Sequence, residues 1–144
     1  MGAFYFRNYS EDIMTDGVDK AFMRTLAHFV LPHVYLIGAW DEVNQTVKSN
    51  RVIDVADELY TSGVCLPVVP DLLLMWHRRH PHPDEFWLEY ELQIMKRCDA
   101  VLVVGDNESL ASDELLEAHR IDLPVFYTQE DLHNWITVAE EVNE

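Results

Sequence analysis

Glycine is scarce in this chain: five residues in 144. No Gly-x-Gly-x-x-Gly, P-loop or Gly-x-Ser-x-Gly segment can be assembled from them. Dinucleotide-dependent hydride transfer, P-loop phosphate chemistry and nucleophile-elbow hydrolysis therefore have no support. Cysteine is scarcer still. Cys65 and Cys98 each sit inside an apolar run, which reads as two buried thiols in a reducing cytoplasm rather than a disulfide or a zinc framework. Bases are few. Ten Lys and Arg stand against 26 Asp and Glu, for a formal charge of −16. Such a field repels phosphate backbones, so DNA and RNA are not expected partners. Long apolar runs are absent as well: "VLPHVYLIGAW" and "AVLVV" fall far short of the roughly 20 residues a membrane span needs. The acid-interrupted start "MGAFYFRNYSEDIM" has no secretory pattern, and Phe6 stands where a myristoylation site needs Ser or Thr. No cofactor is expected.

What is present is alternation of strand and helix signals. Residues 1–32 read as an extension carrying one helix from about Val18 to Val30, with Ala21, Phe22, Thr25, Leu26 and Phe29 on one face and Pro32 after it. Residues 33–144 then read as one α/β domain. The short apolar runs 33–40, 64–70, 100–105 and 124–128 suit buried parallel strands. Between them, "TVKSNRVIDVADELYTSG" is helical, with Val52, Val55, Ala56 and Leu59 on one face and Gly63 as its stop. Residues 71–83 read as irregular, 83–99 as a helix, and "NESLASDELLEAHRI" as a helix capped by Asn107 or Ser109. "EDLHNWITVAEEV" closes the chain as a helix. Alternating elements predict a parallel sheet covered on both faces, a flavodoxin-like three-layer sandwich. Ligands bind such sheets beyond the carboxyl ends of the strands, near a switch in strand order. That edge would carry residues 38–42, 70–83 and 105–114.

Several residues there suit chemistry. Glu114 has Leu110, Ala111, Glu117 and Ala118 as helical neighbours, three of them apolar, whereas Glu117 has a more polar set. Glu114 also lies near a helix start, where the dipole favours a carboxylate. A nucleophile must be ionised yet partly desolvated, and this position offers both; an ordinary acidic first turn is the competing reading. Glu91, between Trp87 and Ile94 and beside Met95, puts a carboxylate on a half-apolar face. Asp99, at a helix-to-strand corner, suits bonding to backbone amides. The loop "MWHRRHPHPDEFW" brings Arg78 and Arg79 together with His77, His80 and His82. An anion contact, a plain surface loop and, least favoured, a metal site are its three readings; two arginines oppose a divalent cation.

"VYLIGAW", "FWLEYELQIMKRCDAVLVV" and "SLASDELLEAHRIDLPVFY" occur in the order and spacing of nucleoside 2-deoxyribosyltransferase-like domains. Over residues 33–128 the chain resembles that superfamily, and in particular a phage and bacterial branch of it. The resemblance implies that Glu114 is the glycosidic nucleophile and that Tyr35 lies near the sugar. It implies that Gly38 closes the first strand, that Glu91 stands where relatives carry Asp, and that Asp99 is the corner Asp of the site. Ser109 would touch a substrate phosphate, with Arg78 or Arg79 helping. The implied activity is cleavage of an N-glycosidic bond of a nucleoside or nucleoside 5′-monophosphate, by hydrolysis or base exchange through a glycosyl-enzyme. Dimers or larger homo-oligomers are implied too, in keeping with four tryptophans, six tyrosines and six phenylalanines and an aromatic N-terminal "AFYFRNY". The alternative from another class is a non-catalytic nucleotide-binding or interaction protein on the same fold, which "LAS" in place of the family's glycine favours.

Overall fold

A computed structural model describes residues 31–38, 45–105 and 112–143 of the chain. The expected helix at 18–30, strand residues 39–40 and both proposed caps, Asn107 and Ser109, lie outside the described residues. The described elements belong to the unit that begins at Pro32.

The order is β1 (His33–Gly38), α1 (Gln45–Thr61), β2 (Leu66–Val68), a 3-10 turn (Pro70–Leu72), α2 (Leu73–Arg79), α3 (Asp84–Met95), β3 (Ala100–Val104), α4 (Asp113–Arg120), β4 (Val125–Phe126) and α5 (Gln129–Asn143). The four strands form one sheet in the order β2-β1-β3-β4. Every pairing is parallel; Tyr35 lies opposite Val68 on one side and Val101 on the other.

Side chains alternate across a strand, and both faces of this sheet are apolar. Val34, Leu36, Ala100 and Leu102 turn to one side and pack with Val52, Ala56 and Leu59 of α1 and Leu132 and Ile136 of α5. Tyr35, Ile37, Val101 and Val103 turn to the other and pack with Met95 of α3, Cys98, and Leu115 and Ala118 of α4. The result is the three-layer α/β sandwich of flavodoxin-like order that the alternation predicts. The chain moves from β1 outward to β2, then returns past β1 to β3. The switch point is therefore between β1 and β3, and their carboxyl ends open a crevice there.

Two expectations are corrected in detail. Residues 71–79 are not irregular, though 80–83 are: Pro70 starts a 3-10 turn and the apolar "LLMWHRR" that follows is helical. The helix before β4 starts at Asp113, capped by Ser112, whose side chain accepts from the Leu115 N–H at 3.1 Å.

Two of the three turns that end a helix on the way to a strand use the same backbone device. After α1, Gly63 has φ 75°, with Gly63 N–H bonded to Tyr60 O and Val64 N–H to Leu59 O. This is the paired pattern of a Schellman stop, in which glycine carries no Cβ penalty. After α4 the same pair of bonds runs from Asp122 to His119 and from Leu123 to Ala118. Asp122 there adopts φ 60°, a region that L side chains enter at a cost. Asp122→Gly is expected to raise stability by about 0.5–1 kcal/mol, read as a higher urea midpoint at unchanged slope. An unchanged or lower midpoint would show that the Asp122 carboxylate offsets the backbone cost.

Candidate functional site

At the crevice the structure opens a cleft of about 330 Å3 lined by the end of β1, the 3-10 turn, and side chains of α1, α2, α3 and α4. Its acids are Asp71, Asp84, Glu91 and Glu114; Lys48 and His77 are its basic groups.

The carboxyls of Glu91 and Glu114 meet by the packing of α3 beside α4. Glu91 sits at the middle of α3, and Glu114 in the first turn of α4. Their carboxyls lie within reach of one hydrogen bond between them. Two carboxylates cannot share one without a proton between them. Burial first, and then the bond to Glu114 and its charge, push the Glu91 carboxyl up to about 8; Asp71 adds to this and Lys48 opposes it. Glu91 is thus the proton-bearing member near neutral pH. The neighbouring acid Glu117 is engaged elsewhere. It pairs with Arg120 one turn on and with Lys96 at 3.8 Å, which ties the end of α3 to α4.

Beneath the pair lies Tyr35 on β1, fully buried. Its hydroxyl has no hydrogen-bond partner among the described residues. Burial above all, and then the charges of Glu114 and Glu91, drive its pKa upward, so it remains a neutral donor. A buried hydroxyl without a partner costs about 1–3 kcal/mol.

Gly38 closes β1 at the cleft. A Cβ there would stand 2.8 Å from Lys48 Cε and 3.1 Å from both Lys48 Cγ and Val52 Cγ2. The missing side chain leaves room for the Lys48 stem across the strand end, and the charge of Lys48 acts on Glu91. Asp71 is held across the cleft by Ser49, whose buried hydroxyl donates to Asp71 Oδ2 at 2.7 Å.

Gly38, Glu91 and Glu114 line one cleft, and the buried Tyr35 lies near the two carboxyls. Asp99 does not join them. It lies at the amino ends of β1 and β3, where its Oδ2 accepts from His33 N–H at 2.8 Å and its own N–H donates to His33 O. β1 runs its whole length, roughly 17 Å, between that corner and the cleft. Asp99 clamps two strands, as its corner position suggested, and takes no part in the crevice. Arg78 and Arg79 are exposed on the last turn of α2 and outside the lining; helix periodicity turns His77 inward instead. Ser109 lies outside the described residues. Both cysteines are buried and free. Burial pushes Cys65 up to about 12 and, with help from Asp99, Cys98 up to about 11, which leaves both as inert thiols. Among the described residues no three metal-ligating side chains gather around one point.

Lys48, Asp71, Asp84 and Trp87 line the cleft although the sequence pattern alone does not assign them to it. Three of them leave a trace in that pattern. Lys48 falls four residues before Val52, in line with the apolar stripe of α1, an odd place for a solvated lysine. Asp84, Trp87 and Glu91 follow at i, i+3 and i+7 on one face of α3. Asp71 leaves none, because its partner Ser49 is 22 residues away.

No protein-family model matches the chain, no curated protein matches it, and no solved structure matches it.

Proposed function

We propose that the cleft cleaves the N-glycosidic bond of a nucleoside, with Glu114 as nucleophile and Glu91 as acid and then base. The observation that carries this reading is the Glu91–Glu114 pair, its carboxyls within hydrogen-bond reach of each other, above the buried Tyr35 hydroxyl. One member holds a proton and the other lies at a helix start. That is the division of labour a retaining glycosidic cleavage requires. An entering sugar would take the place of the contact between the two carboxyls. Glu114 attacks C1′, and the C1′–N bond breaks with its electron pair leaving on the base. Glu91 gives the departing nitrogen its proton. Glu91, now ionised, deprotonates the water or activates the second base that opens the glycosyl ester. Glu114 is restored and the configuration at C1′ is retained.

The described lining favours a nucleoside over its monophosphate. It offers one ammonium, Lys48, against four carboxyl groups. Arg78 and Arg79 stand outside it, so the proposal gives them no phosphate to hold. Arg78→Ala/Arg79→Ala is expected to change KM less than about twofold for both a deoxynucleoside and its monophosphate. A selective rise for the monophosphate would return the two arginines to the site. The direct test of the function is release of free base from a panel of nucleosides, nucleotides and NAD, followed by chromatography. Intact recovery of every compound would remove the enzymatic reading and leave that of a nucleotide-binding protein.

A homo-oligomer working in the cytoplasm completes the proposal. No helix among the described residues is long and apolar enough to cross a membrane. Leu72, Met75, Trp76, Phe86 and Tyr90 are exposed on the 3-10 turn, α2 and α3. Trp76 packs edge-on against Trp87, with ring centroids 5.1 Å apart, so this apolar face continues into the cleft wall. Arg78 and Arg79 flank it from α2, and Glu85 and Glu89 from α3. A two-fold contact would set each pair against the opposite charge of the other copy. Light scattering at physiological salt is expected to give twice the 16.8 kDa chain mass or more, and Trp76→Glu to lower it to one. A single-chain mass for the unaltered protein at micromolar concentration would remove the assembly.

A further inference from the structure

His77 lines the same cleft and has no role in the bond cleavage. Its surroundings define the ring closely. Nδ1 accepts from the indole N–H of Trp87 at 2.7 Å and from the backbone N–H of His82 at 3.3 Å. A nitrogen that accepts two N–H groups carries no proton of its own. The neutral ring must then bear its hydrogen on Nε2. That Nε2–H has no hydrogen-bond partner among the described residues, and the ring that carries it forms part of the cleft wall.

The clamp is built from aromatic packing. The Trp87 ring stands edge-on to His77, with centroids 5.6 Å apart. Trp76 packs edge-on against Trp87 from outside, and Phe86 meets Trp87 at 4.9 Å. His82, which supplies the second N–H, stacks flat on Phe86 at 3.8 Å. Removing the Trp87 N–H leaves only the longer of the two bonds to fix the tautomer.

Position along α3 orders what the cleft meets. Glu91, Trp87 and Asp84 lie on one face, and seven residues of helix rise roughly 10 Å. Glu91 and Glu114 mark the end where the bond breaks. Trp87 is one turn away and Asp84 two. A ligand whose sugar meets the carboxyl pair extends its other half past the indole and His77.

We propose that His77 and Trp87 form the base-binding subsite, with the heterocycle of a nucleoside beside Trp87 and its oxo group or unprotonated ring nitrogen accepting a hydrogen bond from His77 Nε2. This rests on the glycosidic reading of the cleft and names its substrate contact: a nucleobase recognised by an acceptor on its edge. Trp87 acts both as a wall and, through its N–H, as the residue that positions the His77 donor.

Two measurements test it. Long-range proton–nitrogen correlation on the unaltered protein is expected to show His77 protonated at Nε2, and Trp87→Phe to mix the two tautomers. A proton on Nδ1 in the unaltered protein overturns the proposal without any ligand or variant. Binding is then followed in the Glu114→Gln background, which keeps the probe intact, with 2′-deoxyinosine and with 1,2-dideoxyribose, which has no base. His77→Phe is expected to weaken 2′-deoxyinosine about tenfold and to leave 1,2-dideoxyribose unchanged. Trp87→Phe, which keeps an aromatic wall, is expected to move in the same direction by less. Equal affinity for 2′-deoxyinosine with and without His77 overturns the subsite, and so does an equal loss for both probes. Release of hypoxanthine by the unaltered protein separates the two readings. Release with a KM indifferent to His77→Phe keeps the glycosidic reading and removes this one. Binding through His77 with no release does the reverse. Failure of 2′-deoxyinosine to bind at all removes both.

Discussion

Glu114→Ala is expected to lower base release from a deoxynucleoside by roughly 10^3- to 10^6-fold, the range lost when a covalent nucleophile is deleted. The variant should still fold. Glu114 is half-buried in the first turn of α4, and that turn keeps its Ser112 cap. The loss of a carboxylate near a helix start costs about 0.3–1 kcal/mol. Relief of the crowded carboxyl pair works in the opposite direction. Net stability should therefore stay within about 1 kcal/mol of the parent, by urea unfolding. A small external nucleophile such as formate should restore part of the rate, because the alanine leaves space beside C1′ and Glu91 still supplies the proton. Rescue of this kind separates a missing nucleophile from a disturbed cleft. Near-parental release by a folded variant would end the mechanism.

Glu91→Gln carries the second large effect, and pH reads it. The Glu91 carboxyl is pushed up to about 8 from an ordinary 4.5 by burial and by Glu114. As the acid that protonates the leaving base, it must hold its proton. The rate of the unaltered protein should fall as pH rises through about 8. In Glu91→Gln that limb should vanish, with a rate lower by about 10^2- to 10^4-fold. Substrates with a better leaving base should lose less. A parental alkaline limb in Glu91→Gln would assign it to another group. Stability follows the same proton with a fixed sign. The folded chain holds this proton more tightly than the unfolded one. The resulting stabilisation is complete below about 4.5 and is lost as pH rises through about 8. Above that pH the fold must keep an ionised Glu91 against Glu114. Glutamine never ionises, so Glu91→Gln should be more stable than the parent at pH 9, by about 1–2 kcal/mol once screening in the half-open cleft is allowed for. The difference should close below pH 5. Equal urea midpoints at pH 9 would mean that the pair does not share a proton.

The layers of the molecule were legible because each depends on local pattern. Val34, Leu36, Ala100 and Leu102 on one face, and Tyr35, Ile37, Val101 and Val103 on the other, make strands apolar on both sides, and such strands must be covered twice. Gly63 ends α1 because glycine enters the left-handed region without a Cβ penalty. Leu110 and Ala111 count among the helical neighbours that mark out Glu114, but the described helix begins only at Asp113, so that part of the pattern lies outside it. Spacing on α3 set Glu91 apart, since residues three and four apart share a helix face whatever surrounds the helix.

Other assignments required the fold. Asp99 carries the same carboxylate as Glu91 and only four residues of helix separate Glu91 from Met95, yet Asp99 faces the opposite end of the sheet. Strand direction decides which end of the sheet a residue occupies, and a carboxylate carries no mark of it. Arg78 and Arg79 stood out by charge against a chain of −16, but charge does not reveal which side of a short helix meets a cavity; α2 turns His77 inward. Asp71 is held by Ser49, and the charge of Lys48 acts on Glu91 from the strand end that Gly38 leaves open. The shared proton of Glu91 and Glu114 belongs to neither residue alone. Periodicity describes one element at a time. The meeting of α3 with α4 over β1 is a contact between elements distant in sequence, and only tertiary packing brings those two carboxyls close enough to share a proton.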